Sequence, residues 1–179
     1  MATEVATAAD LNNVRNNLSD DYIQTADIDL SDYADWTPIG GNAESDFTGS
    51  YDGQGFTVSN LTINTADTGN FGLFGLIDGS TLSDLTLEDV SISASNGVDV
   101  GSLVGESNSS TIEDITTSGS VSGDGDVGGV IGGSNSDVSL SNLASSCTVS
   151  GTGNYVGGVI GYESSCPLID NLAATGTVD

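Results

Sequence analysis

The chain has no histidine, no lysine and a single arginine, Arg15, in 179 residues. Each absence argues against a class of function. Without His there is no imidazole to act as a general base, to activate a cysteine or to complete a His-Glu-x-x-His zinc-peptidase signature. Without a basic surface there is little to neutralise phosphates or anionic headgroups, which argues against nucleic acid and acidic membranes as partners. Membrane insertion is not expected either, because no apolar run approaches the ~20 residues of a spanning helix. Only two cysteines occur, Cys147 and Cys166. Two do not make a disulfide-stapled scaffold, and the sequence leaves open whether they pair.

In place of bases there is acid. Twenty-six Asp and Glu residues give a formal net charge of −25. They are scattered between apolar positions rather than gathered in a tail, so they read as the surface of a folded domain. Such self-repulsion destabilises a compact state in dilute buffer and is tolerable where molar salt screens it. The composition therefore points to a halophile; a low-pI secreted domain in ordinary salt is the alternative.

A glycine-flanked phrase recurs four times: Gly72-Leu73-Phe74-Gly75, Ser102-Leu103-Val104-Gly105, Gly129-Val130-Ile131-Gly132 and Gly158-Val159-Ile160-Gly161. Its closing glycines are 30, 27 and 29 residues apart. A second phrase keeps the same beat, ending in Asn60-Leu61, Asp84-Leu85, Asp114-Ile115, Asn142-Leu143 and Asn171-Leu172. A fixed period in this range predicts a solenoid, in which each repeat buries its apolar face against its neighbours. Short alternating stretches and turn pairs such as Asp78-Gly79 and Asn96-Gly97 make the elements strands. The expected fold is all-β: a right-handed parallel β-helix of about 27–30-residue repeats with a short helical N-terminal cap. The expected organisation is a cap over residues 1–48 and one continuous repeat domain over 49–179.

In the cap, Leu11, Val14 and Leu18 fall at helical spacing, so residues 3–18 read as an amphipathic helix started by Thr7 or Asp10. Most aromatics also lie early, which fits a terminal unit covering the first rung; an aromatic ligand pocket is the rival reading. In the glycine phrase both strand faces are apolar or glycine, where a half-buried strand should alternate. Either the chain covers both faces itself, or the outer face meets a partner.

The passage Gly49-Ser50-Tyr51-Asp52-Gly53-Gln54-Gly55-Phe56-Thr57-Val58-Ser59-Asn60-Leu61, together with the later Gly-Gly-Val-Ile-Gly phrases, resembles GLUG-repeat regions. The stretch from Leu11 to Gly40 resembles the lead-in that often precedes them. The resemblance implies a β-solenoid used as a stalk or recognition surface of bacterial or archaeal adhesin-like proteins. It carries no catalytic residues onto this chain. Departures are Ser102 in place of glycine and an end inside a fifth repeat.

Candidate sites are few. The Asn60, Asp84, Asp114, Asn142, Asn171 column could set carboxylates ~5 Å apart, as in a retaining glycosidase pair. Asn at three of five places fits a turn ladder better, since an amide serves a corner but not acid catalysis. No catalytic and no cofactor-binding residue is therefore assigned. Asp124 and Asp126 are metal candidates, with Asp27 and Asp29 a second acidic pair, because hard carboxylates suit a structural cation. Leu168, Ile169, Leu172 and Val178 form an apolar edge expected to meet a neighbouring subunit or a continuation of the chain.

The functional expectation is a non-enzymatic surface module for recognition, adhesion or structural support. Its partners would be a protein or glycan on a cell surface, with neighbouring subunits at the C-terminal edge. No secretory signal is read after Met1. The expected location is thus a virion, as a tail fibre or spike component, or an extracellular surface, as a piece of a larger secreted adhesin. A polysaccharide-cleaving β-helix enzyme is the remaining alternative.

Overall fold

The computed structural model describes residues 1–41 and 45–179 and winds as a parallel β-solenoid of about five turns, with one short helix near its start. Tyr22, Tyr51, Leu82, Ile112, Leu140 and Ile169 stack in register, one turn above another. Every named strand pairing is parallel, as expected when each repeat returns in the same phase. The segment Thr111–Gly123 lies between Thr81–Val100 and Ser139–Ser145, with Ile115 beside Leu85 and Leu143; all three are buried.

The second phrase is a corner. In Thr81–Val100, Leu82, Leu85, Leu87, Val90 and Ile92 all point inward. Strict alternation would send Leu85 outward. Asp84 resets the phase, because its φ of 51° inserts one left-handed residue that bends the strand. Asp89, with a φ of 54°, does the same between Leu87 and Val90. Short polar side chains tolerate this region better than apolar ones, which is why Asp and Asn occupy these corners.

The glycine phrase builds a separate four-stranded sheet of Phe74–Asp78, Val104–Asn108, Ile131–Ser134 and Ile160–Glu163. Its glycines allow backbone to lie directly on backbone. A Cβ at Gly105 would strike the Phe71 nitrogen and the Gly75 oxygen; one at Gly132 would strike the Val100 nitrogen. In the second and third copies the apolar residues are covered by the chain itself: Val104, Val127, Val130 and Ile131 have no exposed surface, while in the fourth Val156 and Ile160 are half-buried and Tyr155 is half exposed. Ser102, the departure from glycine, is buried and donates its hydroxyl to the Gly129 oxygen at 2.6 Å.

The N-terminal expectation needs correction. Residues 3–18 are not one helix. Thr3–Val5 is a strand paired with Tyr22–Gln24, the helix is only Ala8–Asn13, and a 3-10 turn follows over Val14–Asn16. The β-branched Thr3 and Val5 take the open edge of the first rung, and a capping box between Thr7 and Asp10 starts the helix after it. Leu11 and Val14 remain the buried face. Arg15 stacks over Trp36, 5.6 Å from the ring centre, and donates to the Thr37 oxygen at 2.8 Å, tying the helix to the first turn. Inside that turn Phe47 and Tyr51 pack on Phe74 at 5.0 and 5.9 Å.

Candidate functional site

The proposed five-membered column divides in two. Asp84, Asp114, Asn142 and Asn171 share one corner, all with positive φ, because Leu85, Ile115, Leu143 and Leu172 pair in register. Asn60 stands elsewhere. The preceding Val58-Ser59 pairs with Leu87-Glu88, so Asn60 lies beside Asp89 and donates to Asp29 Oδ1 at 2.8 Å. Residues 53–56 add length to that turn and shift the phrase. Within the main column, Asn171 donates to Asn142 Oδ1 and Asn142 donates to Asp114 Oδ1, both at 2.9 Å. These are turn-ladder contacts.

Of the metal candidates, Asp124, Asp27 and Asp29 are engaged by protein groups, while Asp126 stands beside Asp99 one turn away. Asp124 Oδ1 accepts from the Thr152 hydroxyl at 2.8 Å. Asp27 Oδ1 accepts from the Thr57 amide at 2.9 Å, and hydrogen bonds from Asn60 and Ser31 hold the Asp29 carboxyl below its ordinary range. Among the described residues no three His, Cys, Asp or Glu side chains converge to hold a metal ion. Cys147 and Cys166 are free thiols, set against Thr117 and Ser134 respectively.

A cavity of about 430 Å³ lies beside the first turn. Trp36, Ile63 and Phe71 line it with Asp35, Asp67 and Thr68. It arises where, among the described residues, Thr62–Phe71 pairs along one side only, with Thr81–Val100. The cap side follows it just as far as Asp35 and Trp36, which bond Asn64 and Thr62.

A second arrangement was missed in the sequence. Asn70, Asp99, Asp126 and Tyr155 occupy one axial column, and Leu76, Glu106, Gly133 and Tyr162 the column facing it. The columns touch. Asn70 donates to Glu106 Oε2 at 2.8 Å, and Asn135 and Asn108 donate to Oε1 at 3.1 and 3.3 Å. The Asp99 carboxylate lies over Gly133, where a side chain would collide with it. Tyr155 and Tyr162 face each other at 5.0 Å. Asp99 is 8% exposed and accepts no hydrogen bond among the described residues. Burial, with the charges of Glu106 and Asp126 added, pushes its pKa up to about 7. A signal for this site existed: Asp99, Asp126 and Tyr155 each stand six residues before a closing glycine of the phrase, and Glu106, Gly133 and Tyr162 one after.

Toward the C-terminal end Leu168–Ala174 pairs, among the described residues, with Ser139–Ser145 on one side only. Leu168, Ile169 and Val178 are about half exposed and Leu172 is half-buried.

The fold defines the chain as a parallel β-solenoid of stacked, acidic turns. Over 134 residues, 67% of this chain, it is 37% identical to halomucin of Haloquadratum walsbyi. Over 80 residues, 41% of the chain, it is 42% identical to a protein inferred to be a Gly-rich membrane protein of Evansella cellulosilytica. The matches span 1% and 9% of those two proteins. No protein-family model matches the chain. A solved structure, inferred to be an immunoglobulin A1 protease of Bacteroides ovatus, aligns over 99% of this chain and 82% of its own, at 18% identity and a TM-score of 0.44.

Proposed function

We propose that this solenoid is a non-enzymatic module of a halophile's surface protein, used for recognition or as a structural spacer. The observation that carries the reading is the strongly acidic solenoid itself: its turns stack in register, and the Asn142 and Asn171 corners bond each turn to the one before. The likeness to halomucin and to a protein named for a membrane supports a place at the cell surface. The GLUG resemblance supports the same role. On this reading the partner is a protein or glycan of a cell surface. The half-exposed edge at Leu168, Ile169, Leu172 and Val178 is where a neighbouring subunit or a further turn stacks.

Localisation tests the proposal directly. Antibody raised against the chain should label intact source cells without permeabilisation. Labelling confined to permeabilised cells would overturn the surface reading, and labelling of purified virions alone would move it to a tail fibre or spike. For the edge, light scattering at high salt should show self-association that Ile169→Glu abolishes. For the absence of enzymatic activity, polysaccharide cleavage that disappears in Asp84→Asn or Asp114→Asn would defeat the proposal.

A further inference from the structure

The paired columns around Asp99 present a constellation that the stacking of turns does not require. Asp99 is more than nine-tenths buried, accepts no hydrogen bond among the described residues, and lies among acids of both columns: Glu106 and Asp126. Its carboxylate oxygens still reach solvent, and a largely desolvated carboxylate with no protein donor is relieved by whatever supplies positive charge or N–H groups. One turn beyond Gly133, over which its carboxylate lies, stands Tyr162, and Tyr162 faces the half-exposed Tyr155. Aromatic faces beside carboxylates attract an organic cation, through the ring quadrupole and direct charge complementarity. The carboxylates are not gathered tightly enough to chelate a bare metal ion, whereas a cation carried on a larger molecule can spread its donors among them. The amides of Asn135 and Asn108, already on Glu106, add hydrogen-bonding groups beside the acids. A mixed carboxylate, amide and aromatic surface matches a ring that carries hydroxyls as well as an ammonium group.

We propose that Asp99, Asp126, Glu106, Tyr155 and Tyr162 form a binding site for an amino sugar, with the ammonium group beside Asp99 and the sugar ring against the tyrosine pair. This deepens the recognition reading above and rests on it. The two fail separately, since cell labelling tests location and the following test reads binding alone.

The full chain is titrated calorimetrically with a glucosamine trimer at pH 7, in the lowest KCl concentration at which circular dichroism shows it folded. Saturable binding is expected for the wild type, and weakening of at least about tenfold in Asp99→Asn and in Tyr162→Ala. Asp32→Asn removes an equal charge from an exposed turn outside the site and should stay within about twofold of wild type. The N-acetylated trimer, which lacks the ammonium, should not bind. Absence of saturable binding overturns the proposal. So does equal binding of the N-acetylated trimer or of tri-lysine, or a loss in Asp99→Asn no greater than in Asp32→Asn. Thermal melts of each variant confirm folding. Tyr155→Phe, which keeps the ring, should retain binding, and its loss in that variant would also count against a ring platform.

Discussion

Asn142 Nδ2 lies 2.9 Å from Asp114 Oδ1, one turn away at the same left-handed corner. The contact needs a donor on the later turn and an acceptor on the earlier one. Asn142→Asp keeps the size and the backbone preference but replaces the donor with a second carboxylate. It should lower stability by about 1 kcal/mol, read as a lower denaturation midpoint in molar KCl. Asn142→Gly, which tolerates the positive φ, should lose less. Equal stability of Asn142→Asp and wild type would show that the ladder contributes nothing.

A formal charge of −25 with one arginine makes the whole chain sensitive to ionic strength. The melting temperature should rise by several degrees, on the order of 5 °C, between dilute buffer and molar KCl as repulsion is screened. Scanning calorimetry across a KCl series checks this. A flat response would remove the halophile argument.

Asp99 makes stability depend on pH in a particular sense. Its folded pKa, about 7, is raised above the unfolded value of roughly 4, so the native state holds the proton more tightly. Its contribution is fully present below about pH 4 and is lost as pH rises through about 7. Asp99→Asn removes that dependence and should be more stable than wild type above pH 7. The gain should be about 1–2 kcal/mol, below the full shift because solvent still reaches the carboxylate. The two proteins should converge at about pH 4. Parallel denaturation curves at pH 4, 6 and 8 decide it; a constant difference across that range would show that Asp99 does not titrate as described.

Gly132 tests the backbone contact. A Cβ there meets the Val100 nitrogen and the Gly105 oxygen, neither of which can swing aside. Gly132→Ala should cost about 2 kcal/mol or more. Gly79→Ala is a contrasting case: nothing among the described residues lies within 4 Å of its Cβ, and the penalty there comes from its φ of 66°. Comparable stability of Gly132→Ala and wild type would mean that the two walls can separate.

The periodicity was legible because stacking forces each turn to spend its apolar residues at the same phase, as Leu82, Ile112 and Leu140 do. The corners were legible as Asp and Asn, although their column was misread at Asn60, where residues 53–56 lengthen a turn and break the count. The strand Thr3–Val5 was hidden because a single apolar position, Val5, gives no periodicity to read. Asp99 was only half legible. Its regular place before a closing glycine could be counted along the chain, but the close approach of Gly133 to its carboxylate depends on two walls meeting in space.

The corner ladder has a direction and a break. Asn171 hands a hydrogen to Asn142, and Asn142 hands one to Asp114. Asp114 stands directly over Asp84, and an ionised carboxylate has no hydrogen to pass on. The turns above this step are zipped along their corner, while the step itself sets two acids face to face. In a one-dimensional stack, opening starts where neighbouring units hold each other least. Dilution of salt should therefore part the solenoid between its Asp84 and Asp114 turns before it frays the turns joined by asparagine, so that hydrogen exchange quickens there first.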